Sequence, residues 1–319
     1  MTSSSILLKK VHKKRNPDEG EELIRKILSD VVKIAERSRT PTKGKAIWTW
    51  GRTVVNYGID NIVKMCIQLN IKHIFLLVKG VSGKVTYNVL QKLLLIAREN
   101  DIYVHAWIVC FEDQLNPNSS PDSPAYRKYL LEIIGKTLSI DFQGYYIDGV
   151  HLDYIRFHGY AWEKWNTISI FVGEVREIID KFAPKAILSI ASKAEKYSSK
   201  EEIIESALFY GQKYRDLARC VDVFCPMTYY LDYGVKPEDV GKAAKWIKEE
   251  TRKPVFAGIQ LHPSENPTTK GRIPTTEEVE NCLKSCENNE VDGVVFFEMR
   301  YLIENYDKYA NPIKNYFNT

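Results

Sequence analysis

The chain has 319 residues, 44% of them hydrophobic and 27% charged, a globular composition that excludes a disordered, collagen-like or coiled-coil protein. Its 45 basic and 41 acidic side chains are unevenly spread: residues 1–45 are basic and the remainder slightly acidic with no recognised binding motif, so nothing favours nucleic acid as the main partner. No run approaches about 18 apolar residues, and the start MTSSSILLKKVHKKR has only a short apolar patch, which predicts neither a membrane span nor a leader and places the protein in the cytoplasm.

In chain order, KKVHKKR (9–15) reads as a solvated tail, with contact to RNA or an anionic surface as the alternative. Residues 18–39 form an amphipathic pattern with Leu23, Ile27, Val31 and Ile34 in register, expected to be an extra helix that plugs or flanks one face of the domain. Eight β-branched and aromatic runs follow: 46–51, 72–79, 102–111, 149–156, 185–193, 221–229, 254–261 and 292–299. Between them lie stretches of helical period, such as 85–100, where Val85, Val89, Leu93 and Ile96 share a face. Eight βα units predict a (β/α)8 TIM barrel over 46–319, preceded by a tail and capping helix over 1–45. An open nucleotide-binding sheet is disfavoured, because the first strand runs into RTVVNYG and not GxGxxG. Two long connections, 112–123 and 262–276, follow strand C-termini, the face where barrels carry their sites.

The most informative segment is YYIDGVHLDYIRF (145–157). With side chains alternating in and out of the barrel, Asp153 and His151 face the interior together, while Val150, Leu152 and Tyr154 face the helices. The opposite phase would bury an aspartate among helices, at a cost of roughly several kcal/mol. Asp148, on the far face, reads as a turn or helix-contact residue. Arg156, just beyond, is a candidate to fix the Asp153 carboxylate or to bind a sugar hydroxyl. The second carboxyl candidates are Glu298 at the end of the eighth strand, Asp232, and Glu112 or Asp113. Glu298 leads, since the neighbouring apolar run would raise its pKa toward that of a general acid. Trp48, Trp50, Trp107, Tyr229, Tyr230 and Tyr233 all fall at or past strand ends, where flat rings stack on pyranose faces. The six cysteines lack zinc spacing, and His105, His151 and His158 build no ligand set, so no metal or organic cofactor is expected.

DGVHLDYIRF, together with HAWIVCF, DVFCPMTYY and DGVVFFEM on the third, sixth and eighth strands, resembles the glycosyl hydrolase-like 10 group of barrels. A more distant similarity runs to family 18 chitinases, whose fourth strand reads DGxDxDxE and whose sixth carries M-x-Y-D. Laid on those motifs, Asp153, Met227 and Tyr229 match; His151 replaces the first inner aspartate, Ile155 stands at the proton-donating glutamate, and Tyr230 replaces the last aspartate. The resemblance implies a barrel acting on a carbohydrate. Two readings follow: a glycoside hydrolase with a carboxyl pair centred on Asp153 and Glu298, or a non-catalytic carbohydrate-binding barrel that lost its acid. In either, His151, Arg156, Trp48, Trp107, Tyr229, Tyr230 and Asp232 are the candidate sugar-binding residues.

Overall fold

A computed structural model describes residues 39–140 and 146–316; the expected basic tail and helix 18–39 fall outside these apart from Arg39. The eight expected strands all form: β1 (Gly44–Trp50), β2 (Ile71–Lys79), β3 (Tyr103–Val109), β4 (Gly149–Asp153), β5 (Ile187–Ser192), β6 (Val223–Pro226), β7 (Phe256–Gln260) and β8 (Gly293–Phe297). They lie in the sheet order β6-β5-β4-β3-β2-β1-β8-β7, every paired neighbour parallel. The two ends of that order meet at a single bridge, Phe224 to Val255, with Phe224 N donating to Pro254 O at 3.0 Å. The seam is short because β6 ends on Pro226, which has no N–H to donate. It is also close-fitting: a Cβ on Gly258 of β7 would lie 2.6 Å from the Pro226 carbonyl oxygen. The architecture is a nearly closed (β/α)8 barrel.

The helices are α1 (Gly51–Tyr57), α2 (Ile59–Gln68), α3 (Asn88–Glu99), α4 (Pro124–Leu138), α5 (Trp165–Phe182), α6 (Lys200–Phe209), α7 (Tyr214–Leu217), α8 (Tyr230–Tyr233), α9 (Asp239–Thr251), α10 (Thr276–Asn288), α11 (Met299–Glu304) and α12 (Tyr306–Asn315). The helix expected over 85–100 starts three residues later, since Val85 bridges back to Lys79, and its buried face is Leu90, Leu93, Leu94 and Ala97. The long connection before α10 ends in a capping box, Thr275 accepting from Glu278 N while Glu278 accepts from Thr275 N. No helix among the described residues is long and apolar enough to cross a membrane.

Alternation along the strands builds two cores. Outward residues such as Ile47, Ile74, Val150, Leu152, Leu188 and Phe296 pack with the helices, and inward residues such as Trp48, Phe75, Trp107, Val109, Phe256 and Val295 fill the barrel. Near its N-terminal end the interior holds His73 and His105, 3.1 Å apart between Nδ1 and Nε2. Gly149 makes room for them, because a Cβ there would lie 2.3 Å from His105 Nδ1.

Three aspartates, each one residue ahead of a strand, tie that end together. Asp148 accepts from Val104 N at 2.8 Å, Asp222 from Leu188 N at 2.8 Å, and Asp292 from Val255 N at 3.1 Å. Each also faces a cation: Arg98 at 3.5 Å, Arg176 at 3.0 Å with Arg39, and Lys248 at 3.1 Å. Lys45 at the start of β1 is buried and donates to Ile313 O at 2.7 Å and Tyr316 O at 2.6 Å, capping the last carbonyls of α12.

Candidate functional site at the strand C-termini

The expected phase of β4 holds: Val150 and Leu152 face the helices, and His151 and Asp153 face inward. His151 lies in the barrel core, where its Nε2 accepts from Trp48 Nε1 at 2.9 Å and its Nδ1 meets Ser189 Oγ at 2.9 Å. An indole N–H only donates, so Nε2 is bare and the neutral ring carries its proton on Nδ1. Burial pushes His151 down to about 3, and the ring stacks on Phe75 at 4.4 Å. Trp48 is 1% exposed. Expected as sugar ligands at the mouth, Trp48 and His151 instead fill the layer beneath it, because inward side chains one turn of the pleat below the strand ends are closed over by those above.

Asp153 stands above that layer. Its Oδ2 accepts from Trp107 Nε1 at 3.2 Å and its Oδ1 from Tyr154 N at 2.6 Å. Burial raises its pKa and outweighs the opposing pull of Arg156, the two hydrogen bonds and Lys193. Tyr154, expected to face the helices, adopts φ +51° and packs against the interior core. That left-handed residue ends the alternation, so Ile155 turns outward and is buried in the helix-facing core. The Arg156 guanidinium lies 3.9 Å from the Tyr154 ring centroid, and its Nη1 is buried without a hydrogen-bond partner.

On one flank, at the end of β5, Lys193 pairs with Glu195 and lies 4.8 Å from the Tyr210 ring and 5.6 Å from the Tyr233 ring. Burial lowers its pKa, with Glu195 opposing. Tyr210 donates its hydroxyl to Glu195 at 3.1 Å.

On the other flank, Glu298 follows the last residue of β8 and is fully buried. Its Oε2 accepts from Arg300 N at 3.1 Å, while Oε1 has no hydrogen-bond partner and lies 3.4 Å from Arg300 Nε. Burial raises its pKa, against the pull of the Arg300 backbone bond and charge. Asp232 receives Gln260 Nε2 at 2.9 Å, Glu265 N at 2.9 Å and His262 Nε2 at 3.0 Å. Burial pushes Asp232 up, but the His262, Glu265 and Gln260 bonds more than offset it and hold the carboxyl below its usual range. Tyr229 lies between the flanks, its ring centroid 5.1 Å from His262 and 5.7 Å from Phe297. Burial, with the nearby Asp153 charge, raises its hydroxyl well above the usual value.

Of the expected residues the structure therefore gathers Trp107, Arg156 and Tyr229 around the Asp153 carboxyl, with Asp232 and Glu298 near His262. Tyr230 is not among them: it is buried in the helix-facing core. Asp113 is held in a buried ion pair with Lys79 at 3.3 Å and accepts from Tyr126 at 2.8 Å, and Glu112 faces His158 at 3.7 Å. Lys193, Glu195, His262 and Arg300 were not expected. Lys193 and His262 continue the inward alternation of Ile187, Ser189, Ala191 and of Phe256, Gly258, Gln260, so the period-two rule carried two residues past each strand would have found them. Among the described residues no group of three or more His, Cys, Asp or Glu is placed to hold a metal ion.

Neither a family model nor a curated protein matches the sequence. Solved structures resemble the fold. The endo-1,4-beta-mannanase of Rhizomucor miehei superposes with a TM-score of 0.64 at 9% identity, covering 88% of this chain and 94% of that one. The spore cortex-lytic enzyme SleL of Bacillus cereus gives 0.58 at 13%, covering 84% and 75%, and a chitinase of Rhizomucor miehei 0.56 at 13%, covering 85% and 99%. The neighbours are by name a mannanase, a cortex-lytic enzyme and a chitinase, and at such identities the likeness is one of fold.

Proposed function

We propose that the protein is a glycoside hydrolase in which Asp153 is the nucleophile or base and Glu298 the proton donor. The observation that carries this reading is Asp153 itself: a buried carboxyl at the C-terminal end of β4, gripped by Trp107 and Tyr154 N, with Arg156 and Lys193 near enough to draw it toward the ionised form. Glu298 suits the complementary role, because full burial outweighs the Arg300 charge 3.4 Å from Oε1 and favours a carboxyl that holds a proton until a leaving oxygen takes it. The fold shared with the mannanase, chitinase and SleL barrels supports a carbohydrate as the substrate.

A glycan-library hydrolysis assay comparing the wild type with Asp153→Asn tests the reading. The wild type should cleave at least one oligosaccharide, and the variant should lose about 10³-fold or more of that turnover. Equal turnover by the two removes Asp153 from the mechanism. Binding by a wild type that cleaves nothing identifies a carbohydrate-binding barrel instead, consistent with the buried Ile155 at the position of the family 18 proton donor.

A further inference from the structure

The ends of β7 and β8 carry three buried polar atoms without a hydrogen-bond partner: His262 Nδ1, and Glu298 Oε1 and Arg300 Nε, which face each other as an ion pair at 3.4 Å. They are neighbours by construction. Gln260 pairs with Phe297 in register and Leu261 N donates to Phe297 O at 2.9 Å, so the chain segments that carry His262 and Glu298 leave the barrel side by side. A buried polar group without a partner costs roughly 1–3 kcal/mol, so His262 Nδ1, beside an ion pair that makes no hydrogen bond, calls for a ligand or water that satisfies it.

Their chemistry is fixed by what holds them. Asp232 is ionised and can only accept, so His262 Nε2 must carry the hydrogen of their 3.0 Å bond. In the neutral ring this leaves a lone pair on Nδ1. Arg300 donates through Nη2 to Tyr301 at 2.5 Å, its guanidinium lies 5.5 Å from the Trp50 ring centroid, and its Nε faces Glu298 Oε1 without a hydrogen bond. The His262 acceptor and the Arg300–Glu298 ion pair thus stand together, flanked by the rings of Trp50, Tyr229 and Tyr301. A hydroxyl both gives and takes a hydrogen bond, and a pyranose offers adjacent hydroxyls on a ring whose faces stack on aromatics.

We propose that His262 and Arg300, positioned by Asp232 and Tyr301, form a second sugar subsite that holds the unit on the leaving side of the scissile bond. The assignment to the leaving side rests on the reading of Glu298 as proton donor, since groups beside the donor face the oxygen it protonates. It makes the substrate an oligosaccharide with a recognised sugar on each side of the cleaved bond, and not a glycoside of a small aglycone.

Binding tests this separately from turnover. Wild type and His262→Phe, which keeps a ring among Tyr229, Phe297 and Tyr301, are titrated calorimetrically with chitotriose, mannotriose and cellotriose, and melting temperatures are compared to confirm folding. At least one trisaccharide should bind the wild type and bind His262→Phe tenfold or more weakly, with Asp232→Asn, which frees the imidazole to change tautomer, weakened likewise. In ¹⁵N spectra His262 should carry its proton on Nε2, and the Nδ1 resonance should move on adding that trisaccharide. Equal affinity for the wild type and His262→Phe, no binding of any of the three at millimolar concentration, or a proton on Nδ1 overturns the proposal. Binding that Asp153→Asn retains without any wild-type cleavage overturns the hydrolase reading and leaves the sugar subsite standing. Should His262→Phe fail to fold, Arg300→Met takes its place with the same tenfold expectation.

Discussion

Asp153 and His151 are two residues apart on one strand and titrate in opposite senses. Burial holds His151 neutral, near 3 against about 6.5 in an unfolded chain, so as pH falls through that window the unfolded chain takes up a proton that the native one refuses. Stability attached to His151 is therefore complete above about 6.5 and lost toward 3, by at most about 5 kcal/mol. His151→Gln should flatten the dependence of unfolding free energy on pH between 6.5 and 3; a slope equal to the wild type's would show that this ring is not what burial makes it. Asp153 has a raised pKa, so the native state keeps its proton above the unfolded value and stability falls as pH rises through the native pKa. Asp153→Asn removes that loss, yet its amide can satisfy only one of the two donors, Trp107 Nε1 and Tyr154 N, which costs about 1 kcal/mol. The variant should stay within about 1–2 kcal/mol of the wild type, and the difference should move in its favour between pH 4 and 7. Denaturant titrations at the two pH values check it, and a shift the other way would mean that Asp153 is ionised more readily in the fold than in the open chain.

At the level of strands and helices, the aspartates ahead of β4, β6 and β8 do the same work three times, each closing the gap to the strand before it. Asp222 is the most heavily used, with Leu188 N, Arg176 and Arg39 all directed at it. Asp222→Ala should cost about 2–3 kcal/mol, because a backbone N–H loses its acceptor and the cations lose their counter-charge; an urea midpoint unchanged from the wild type would make this network ornamental to stability. Much of this was legible beforehand. Eight apolar runs gave eight strands within a few residues, and the phase of β4 followed from refusing to bury an aspartate among helices. What escaped was local: β4 stops at Asp153 because Tyr154 turns left-handed, and no periodicity announces a single residue at φ +51°. The same break explains why Tyr154 and Ile155 exchanged sides. The flanks of the site were missed for a related reason, since Lys193 and His262 lie past the strands whose alternation orients them. Tyr230 was misplaced because it opens the short helix α8, where the period of two no longer holds.

Across the whole molecule, Lys45 joins the first strand to the last helix over more than 260 residues of chain. Lys45→Met keeps the stem and removes the ammonium, leaving buried carbonyls of α12 without a donor, and should cost about 3 kcal/mol. Guanidinium unfolding with an unchanged midpoint would contradict the clasp. The seam between β6 and β7 has a different character from the rest of the barrel. Elsewhere neighbouring strands are joined by backbone ladders, which tolerate almost any side chain. Above this one bridge, the joint is made by side chains: Gln260 on β7 accepts from Leu231 N at 3.2 Å and donates to Asp232 at 2.9 Å, His262 adds its own bond to Asp232, and Thr228 reaches across to Gly258 O at 2.8 Å. The parts that close the wall are thus the parts that orient His262. A sugar seated on His262 would resist the separation of these two strands, and amide exchange at Phe224 and Leu231 would slow as it bound, with the rest of the barrel indifferent. Exchange at two backbone positions would then report occupancy of the mouth without any knowledge of which bond, if any, is being cut.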